Sequence, residues 1–321
     1  MQWTFEINEA VDWAAWVRFH QPALAMQSEA EPGITPPAFS LCWHRANQPP
    51  LTCRLTPVTS PNAAPWRLQV AMKTAPEGSM SESLKAQAHT WVHQLLGLDQ
   101  PVAAFETCLL QGPAGSLVQQ LPYLWSASDL RLWLTPTPFW SGVRAILSQQ
   151  ISVKAANTVR ARLIDTLASV SQEPPSRSAA TLLQVSRETL AQVGLSATKT
   201  NALYALAEAR LLPDDQCRPS LSAEQAHWLK AELIRLPGIG PWTADYSLVR
   251  GYGLADADLS GDQGVKVGLQ AWWSLTHKGT DGIADRQPAT QKQAAQWLAQ
   301  FEPYRTQAAA FLWWLAAKGR R

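Results

Sequence analysis

Apolar residues recur along the chain in two different rhythms. Up to about residue 112 the pattern mixes short alternating runs, Pro37-Ala-Phe-Ser-Leu-Cys-Trp43 and Trp66-Arg-Leu-Gln-Val-Ala-Met72, with helix-like stretches from Ala10 to Phe19 and from Ser81 to Leu96. Alternation puts every second side chain on one face of a strand, whereas apolar positions three and four apart line one side of a helix. The first part, 1–112, therefore reads as an α+β domain. Segments rich in Pro, Ala and Glu, Gln27 to Pro37 and Thr59 to Pro65, read as loops between its strands.

After Gly112-Pro113 strand signals nearly vanish, and 113–321 reads as an all-α region, so that the chain is mainly α overall. Its helix starts are marked by residues able to satisfy first-turn amides. Thr137-Pro138 gives an N-cap followed by Pro at the first helical position, with Val143, Ile146 and Leu147 as the apolar face. A second helix follows from about Ser152, with Val159, Leu163 and Leu167 four residues apart. Ser186 opens a helix that stops at Gly194, and Ser196 caps the stretch carrying Leu203, Leu206 and Leu211. Ser222-Ala-Glu-Gln225 is a capping box. Pro288 and Pro303 bracket two final helices, the last ending near Gly319.

A chain of 321 residues with 46% apolar composition is too long for one core, so two or three domains are expected. The longest late apolar run, Ala308 to Ala317, is half the roughly 20 residues a membrane span needs. Neither export nor membrane insertion is expected, and a reducing cytoplasm is the default location. Cys42, Cys53, Cys108 and Cys217 lie far apart without a Cys-x-x-Cys pair, which argues against a thiolate zinc site, an iron–sulfur cluster and a disulfide framework. Residues 1–120 carry six Lys/Arg against nine Asp/Glu, and 121–321 carry 21 against 16. A polyanion-binding surface thus belongs to the second part. The 16 tryptophans are a heavy load that core and interface should mostly absorb, although an indole can also stack on a nucleobase.

The most informative segment is Leu236-Pro-Gly-Ile-Gly-Pro-Trp-Thr-Ala-Asp245. Gly238 and Gly240 let the chain turn tightly and bring backbone N–H groups close to a ligand, Ile239 plugs the turn, and Pro241 starts a helix whose positive end faces an anion. Helix, hairpin and helix, 222–250, make a cradle for a DNA phosphate, with no sequence preference because the contact is through backbone. A plain helical turn is the alternative. Twenty residues past Trp242 comes Leu259-Ser-Gly-Asp-Gln-Gly-Val-Lys266. Asp262 reads either as a simple N-cap of the helix that follows, or as a carboxylate that stabilises positive charge on a sugar or orients a water.

The segment Leu236 to Lys266 resembles the signature of the helix-hairpin-helix DNA glycosylases, and within them the alkylation-repair branch, DNA-3-methyladenine glycosylase II. Phe139 to Ala156, Gly194 to Leu206 and Pro303 to Trp314 resemble counterparts in that branch in order and spacing, so the likeness covers most of 120–318. The resemblance implies an α+β N-terminal domain followed by a helical glycosylase core. It implies Asp262 as the catalytic carboxylate and Trp242, Tyr246 and Trp313 as the lining of the base pocket. Gly238, Ile239, Gly240 and Thr243 would meet the DNA backbone, and Gln150, polar where an aliphatic residue is usual, would wedge into the duplex. Main-chain carbonyls of Leu236 and Ile239 would hold a structural monovalent cation, Na or K, with no other cofactor required. The implied partner is double-stranded DNA containing damaged bases, met by a monomer associated with a bacterial nucleoid, with no membrane involved.

Trp242 stands where bifunctional members carry the lysine of a Schiff base, so direct hydrolysis to an abasic site is expected. No cysteine follows Cys217 to form the late cluster of endonuclease III-like members. Alkylated purines such as 3-methyladenine and 7-methylguanine are cationic leaving groups, and aromatic faces suit them. Two other readings stand beside this one, an oxidised-base glycosylase and a non-catalytic helix-hairpin-helix protein that scans for damage.

Overall fold

The computed structural model describes residues 2–20, 39–45, 48–59, 65–73, 81–112, 125–171, 177–215, 218–276 and 289–318. The expected loop from Gln27 to Pro37, most of that from Thr59 to Pro65, and Pro288 lie outside the described residues. In chain order the elements are β1 (Gln2–Ile7), α1 (Trp13–His20), β2 (Phe39–Arg45), β3 (Gln48–Pro57), β4 (Trp66–Lys73), α2 (Glu82–Leu96) and α3 (Val102–Gln111). There follow α4 (Ala127–Leu130), α5 (Pro138–Ser148), α6 (Val153–Val170), α7 (Ala179–Leu183), α8 (Arg187–Val193), α9 (Ala197–Ala209), α10 (Ala223–Ile234), α11 (Pro241–Tyr252), α12 (Gln263–Thr276), α13 (Gln291–Ala299) and α14 (Arg305–Lys318). The architecture is an α+β N-terminal part followed by a helical region, as the sequence pattern implies.

The strands form one antiparallel sheet in the order β1-β4-β3-β2, with Leu55 opposite Val70 and Cys53 opposite Met72. Alternation works as expected, since Cys53 and Leu55 of β3 and Leu68 and Val70 of β4 are all fully buried. They pack with Trp13 and Trp16 of α1 and with Trp91, Val92 and Leu95 of α2. Trp13 and Trp16 stack at 4.8 Å, and the Trp16 indole donates to Leu95 O at 3.2 Å, so its polar edge is satisfied inside the core. Burying one such side chain contributes about 1.5–3 kcal/mol. Much of the tryptophan load is therefore structural.

The chain packs as two compact units whose limits differ from the division expected at residue 112. One unit holds Met1–Leu98 and Trp133–Tyr252, the other Asp99–Leu132 and Gly253–Arg321. Aromatic packing explains the regrouping in the second unit. Phe105 of α3 lies 5.6 Å from Phe301 and 6.4 Å from Phe311, and Trp125 lies 5.4 Å from Phe311, which draws 99–132 to the C-terminal helices. Within that unit α12 crosses α14 so closely that a Cβ on Gly268 would stand 1.9 Å from Leu312 O. Within the first unit α5 is the axle. It packs chiefly on α11, and Ser141 Oγ donates to Ser247 O at 2.7 Å across that contact.

Candidate functional site

The hairpin is built by the first unit. Helix α10 starts with the expected capping box, Gln225 N donating to Ser222 Oγ at 3.1 Å and Ser222 N to Gln225 Oε1 at 2.9 Å. The chain then turns through Leu236 to Gly240, closed by Ile239 N donating to Leu236 O at 3.2 Å. Gly238 has φ +78° and its Cβ position lies 2.9 Å from the Ala202 Cβ of α9, so both conformation and space demand glycine. Ile239 is buried, as a plug would be. Gly240 differs, because a Cβ there would meet nothing within 4 Å.

Gln149, which the sequence reading passed over, fastens this turn. Its Nε2 donates to Gly238 O at 2.8 Å and to Thr243 Oγ1 at 2.9 Å, tying the end of α5 to both sides of the hairpin. Thr243, expected to touch DNA, is buried with its hydroxyl taken by Gln149. Its side chain is a strut of the hairpin instead. Gln150 is exposed and has φ +55°, a left-handed conformation that juts it from the α5–α6 turn, with Ile151 and Val153 exposed beside it. The carbonyl of Leu236, expected at a cation, uses one of its two lone pairs to close the turn. Among the described residues no cluster of three His, Cys, Asp or Glu could hold a metal.

Helix α11 sets Trp242 and Tyr246 four residues apart on one face, with ring centroids 5.2 Å apart and planes tilted by 30°. Tyr246 is buried and Trp242 half-buried. Arg144 of α5 donates from Nε to Tyr246 Oη at 3.3 Å. Lys230 of α10 pairs with the buried Asp245 at 2.7 Å, which locks α10 to α11 on either side of the turn.

Asp262 and Trp313 belong to the second unit. The lead-in to Asp262 is firmly held. Arg305 donates to Asp256 from Nε at 2.7 Å and Nη2 at 2.8 Å, and Thr306 Oγ1 donates to Leu254 O at 2.7 Å while accepting from Ala257 N at 3.1 Å. Ser260 is buried, its amide donating to Asp258 Oδ1 at 3.0 Å, and Asp262 N donates to Leu259 O at 2.9 Å. The small Ser260-Gly261 pair thus sits in a closed turn. Asp262 Oδ1 accepts from Val265 N at 3.1 Å, the cap expected for α12, and also from the Trp313 indole Nε1 at 2.8 Å. Trp313 therefore aims the carboxylate, a role that the sequence, reading it as pocket lining, did not expose. Gly264 makes the approach possible, because a Cβ there would stand 2.7 Å from Trp313 Cδ1 and 3.0 Å from Asp262 Oδ1.

The chain that builds this turn with its open helix start, and this carboxylate held by two donors, is similar to the following known proteins. Residues 143–292 match the HhH-GPD superfamily of base excision DNA repair proteins. Over 183 residues the chain is 32% identical to the probable bifunctional transcriptional activator/DNA repair enzyme AlkA of Mycobacterium tuberculosis, a match covering 53% of this chain and 32% of that protein. The chain thus spans about a third of the length of that relative. It is 24% identical over 184 residues to the alkylbase DNA glycosidase-like protein mag2 of Schizosaccharomyces pombe, covering 56% of this chain and 80% of that one. The solved 3-methyladenine DNA-glycosylase from Archaeoglobus fulgidus has the same fold, with a TM-score of 0.64 at 18% identity over 98% of both chains.

Proposed function

We propose that this chain is a DNA glycosylase that removes alkylated, cationic purines such as 3-methyladenine and 7-methylguanine by direct hydrolysis, leaving an abasic site. The observation that carries the reading is Asp262, fixed by Val265 N and the Trp313 indole and lying 20 residues past Trp242 within the segment that matches the HhH-GPD superfamily. The names of the relatives, DNA repair enzyme and alkylbase glycosidase, support it.

In this reading double-stranded DNA rests a phosphate on the hairpin amides, Gln150 enters the duplex where the damaged nucleotide has swung out, and the exposed Ile151 and Val153 flank it. Trp242 and Tyr246 offer aromatic faces to the flat cationic base. A positively charged base is already a good leaving group, so the chief demand on the protein is to stabilise the oxocarbenium-like sugar, and Asp262 supplies the negative charge. Water completes the reaction, because Trp242 occupies the place of the amine that a Schiff base would need. A monovalent cation on the carbonyls of Leu236 and Ile239 would stiffen the turn, and the enzyme acts as a monomer.

The test is release of 3-methyladenine and 7-methylguanine from methylated duplex DNA by wild type beside Asp262→Asn, with borohydride present in a parallel reaction. Release by wild type alone, without a trapped adduct, is the expected result. Equal release by the variant refutes the role of Asp262, and a trapped adduct above background refutes direct hydrolysis.

A further inference from the structure

We propose that Lys199 is a positioning residue for opening the duplex: from the first turn of α9 it grips the end of α5 and so keeps the Gln150 turn in the shape that enters DNA. The use of the turn in DNA rests on the glycosylase reading above; the grip itself does not.

A helix end leaves its last carbonyls without partners inside the helix. In α5 one of these, Ile146 O, accepts from Gln149 N at 3.3 Å, and the next, Leu147 O, accepts from the Lys199 ammonium at 2.9 Å. A cation there also meets the negative end of the helix dipole. The two residues stand 52 positions apart, so the bond is a tertiary fastening of α9 to α5. Burial lowers the Lys199 ammonium from its ordinary value, which means that the group gives up hydration to serve this carbonyl. Its backbone is fixed as well, because Lys199 N donates to the Ser196 hydroxyl that caps α9, at 3.3 Å. Lys199 is thus held at its root and at its tip.

What the bond steadies is a turn of unusual conformation. Ser148, Gln149 and Gln150 follow Leu147 directly, and Gln150 has φ +55°, a region that residues with a Cβ seldom occupy. Such a conformation persists only where the surroundings hold it. Here they hold it from both sides. Ahead of Gln150, Lys199 takes Leu147 O and Gln149 donates to Gly238 O and Thr243 Oγ1. Behind it, Ser152 Oγ accepts from Ala155 N at 3.2 Å and starts α6. Gln150 itself is exposed, so its neighbours fix the turn while its side chain faces outward.

The same stretch of α9 supports the hairpin. A Cβ on Gly238 would stand 2.9 Å from Ala202 Cβ and 3.6 Å from the carbonyl oxygen of Thr198, the residue before Lys199. One end of α9 therefore backs the proposed phosphate seat and grips the base of the Gln150 turn, which sets the two in register with each other. Lys199 spends its charge on Leu147 O, so its place beside the hairpin serves the protein and not a phosphate.

The experiment compares wild type with Lys199→Met, Lys199→Gln and Lys199→Arg. Amide hydrogen exchange of the free proteins reads the grip, and the fluorescence of 2-aminopurine beside a tetrahydrofuran abasic analogue in a duplex reads entry of the turn. In Lys199→Met, exchange at Gln149 to Ser152 is expected to accelerate more than elsewhere in α5 and α6. The fluorescence rise at saturating protein shrinks, and single-turnover release of 3-methyladenine slows by about tenfold. Duplex affinity and its salt slope stay as in wild type, since no phosphate contact is lost. Lys199→Arg, which still donates to the carbonyl, restores most of the fluorescence rise, and Lys199→Gln, a shorter neutral donor, falls between; these two carry the test should Lys199→Met not fold. A salt slope shallower by about 0.9 with a full fluorescence rise at saturation makes Lys199 a phosphate contact and overturns the proposal. Unchanged exchange in the turn overturns the grip, and faster exchange with a full fluorescence rise overturns its part in opening. If wild type releases no base, the glycosylase reading fails and the role in opening with it, whereas normal wild-type release with exchange and release unchanged in Lys199→Met fails this inference alone.

Discussion

Helices α11 and α12 both begin beside glycines, yet their first-turn amides are treated in opposite ways. At α12 the side chain of Asp262 accepts from Val265 N, and the Trp313 indole holds the same oxygen. At α11 the residue before Pro241 is Gly240, which has no side chain to cap with and open space where a Cβ would stand. Elsewhere the chain uses serine when a helix start has only to be stable. Ser152, Ser186, Ser196 and Ser222 each accept from the amide three residues on. One helix start thus carries its own anion and the other has no side-chain cap at Gly240; in the proposed function that second start receives a phosphate, and a capping hydroxyl at 240 would occupy the ground a phosphate oxygen needs.

The largest effect is expected where cap and chemistry share one oxygen. Asp262→Asn keeps a capping side chain, so the variant folds like wild type, while base release falls by a factor on the order of 10³ or more because the main electrostatic stabiliser is gone. Asp262→Ala loses the cap as well, and thermal unfolding should show a further cost of about 1 kcal/mol. Equal stability of the two variants would mean that the α12 start does not depend on Asp262. Trp313→Phe comes next. Removing a hydrogen bond to a charged group costs roughly 1.5–3 kcal/mol, so single-turnover release should drop about 10- to 100-fold with little change in DNA affinity. A loss confined to affinity would return Trp313 to the simpler role of pocket lining.

The two hairpin glycines sharpen the other side of the comparison. Gly240→Ala should weaken binding to all duplexes alike by about tenfold, a cost of about 1.4 kcal/mol, and leave stability unchanged, because the added methyl meets no protein atom within 4 Å and stands where the proposed phosphate would approach. Gly238→Ala should instead destabilise the fold by about 1–2 kcal/mol or more through its positive φ and its collision with Ala202. Binding assays beside unfolding curves separate the two. If Gly240→Ala unfolds as Gly238→Ala does, the open space is not a ligand site.

What was legible in the sequence was what is decided within a few residues. Ser81 with Gly97, Thr137, Ser186 with Gly194, and the Ser222 box all bound helices where cap chemistry placed them. Strands β1 and β3 were not read. β3 carries Pro49, Pro50 and Pro57, and it is strand because β2 and β4 pair with it on either side. Helix α3 was absorbed into the preceding domain because the Phe105 contacts that give it to the C-terminal helices span about two hundred residues of chain. The site divides in the same way. The hairpin glycines and the capping Asp262 have local signatures, whereas the bond from Trp313 to Asp262 joins positions 51 residues apart and Gln149 reaches 89 residues to Gly238.

Gln149 gives the smallest and most discriminating effect, because it touches neither a proposed base nor a proposed phosphate. Its amide makes two neutral hydrogen bonds, to Gly238 O and Thr243 Oγ1, each contributing about 1 kcal/mol net. Both end on the hairpin, so Gln149→Ala should leave the core formed by α5 and α11 intact and loosen the turn. Global stability then falls by about 1–2 kcal/mol, and amide hydrogen exchange accelerates around Gly238 to Thr243 more than elsewhere in α11. Duplex affinity falls less than in Gly240→Ala, since the amides that would meet phosphate are still present but less ordered. Gln149→Glu keeps the shape and replaces both donors by a negative charge beside the cradle, so it should weaken binding more than Gln149→Ala, and the gap between the two should narrow as salt is raised. Identical affinities for the two variants at low salt would mean that the phosphate does not sit beside Gly238, and the assignment of the α11 start to an external anion would fail at its nearest neighbour.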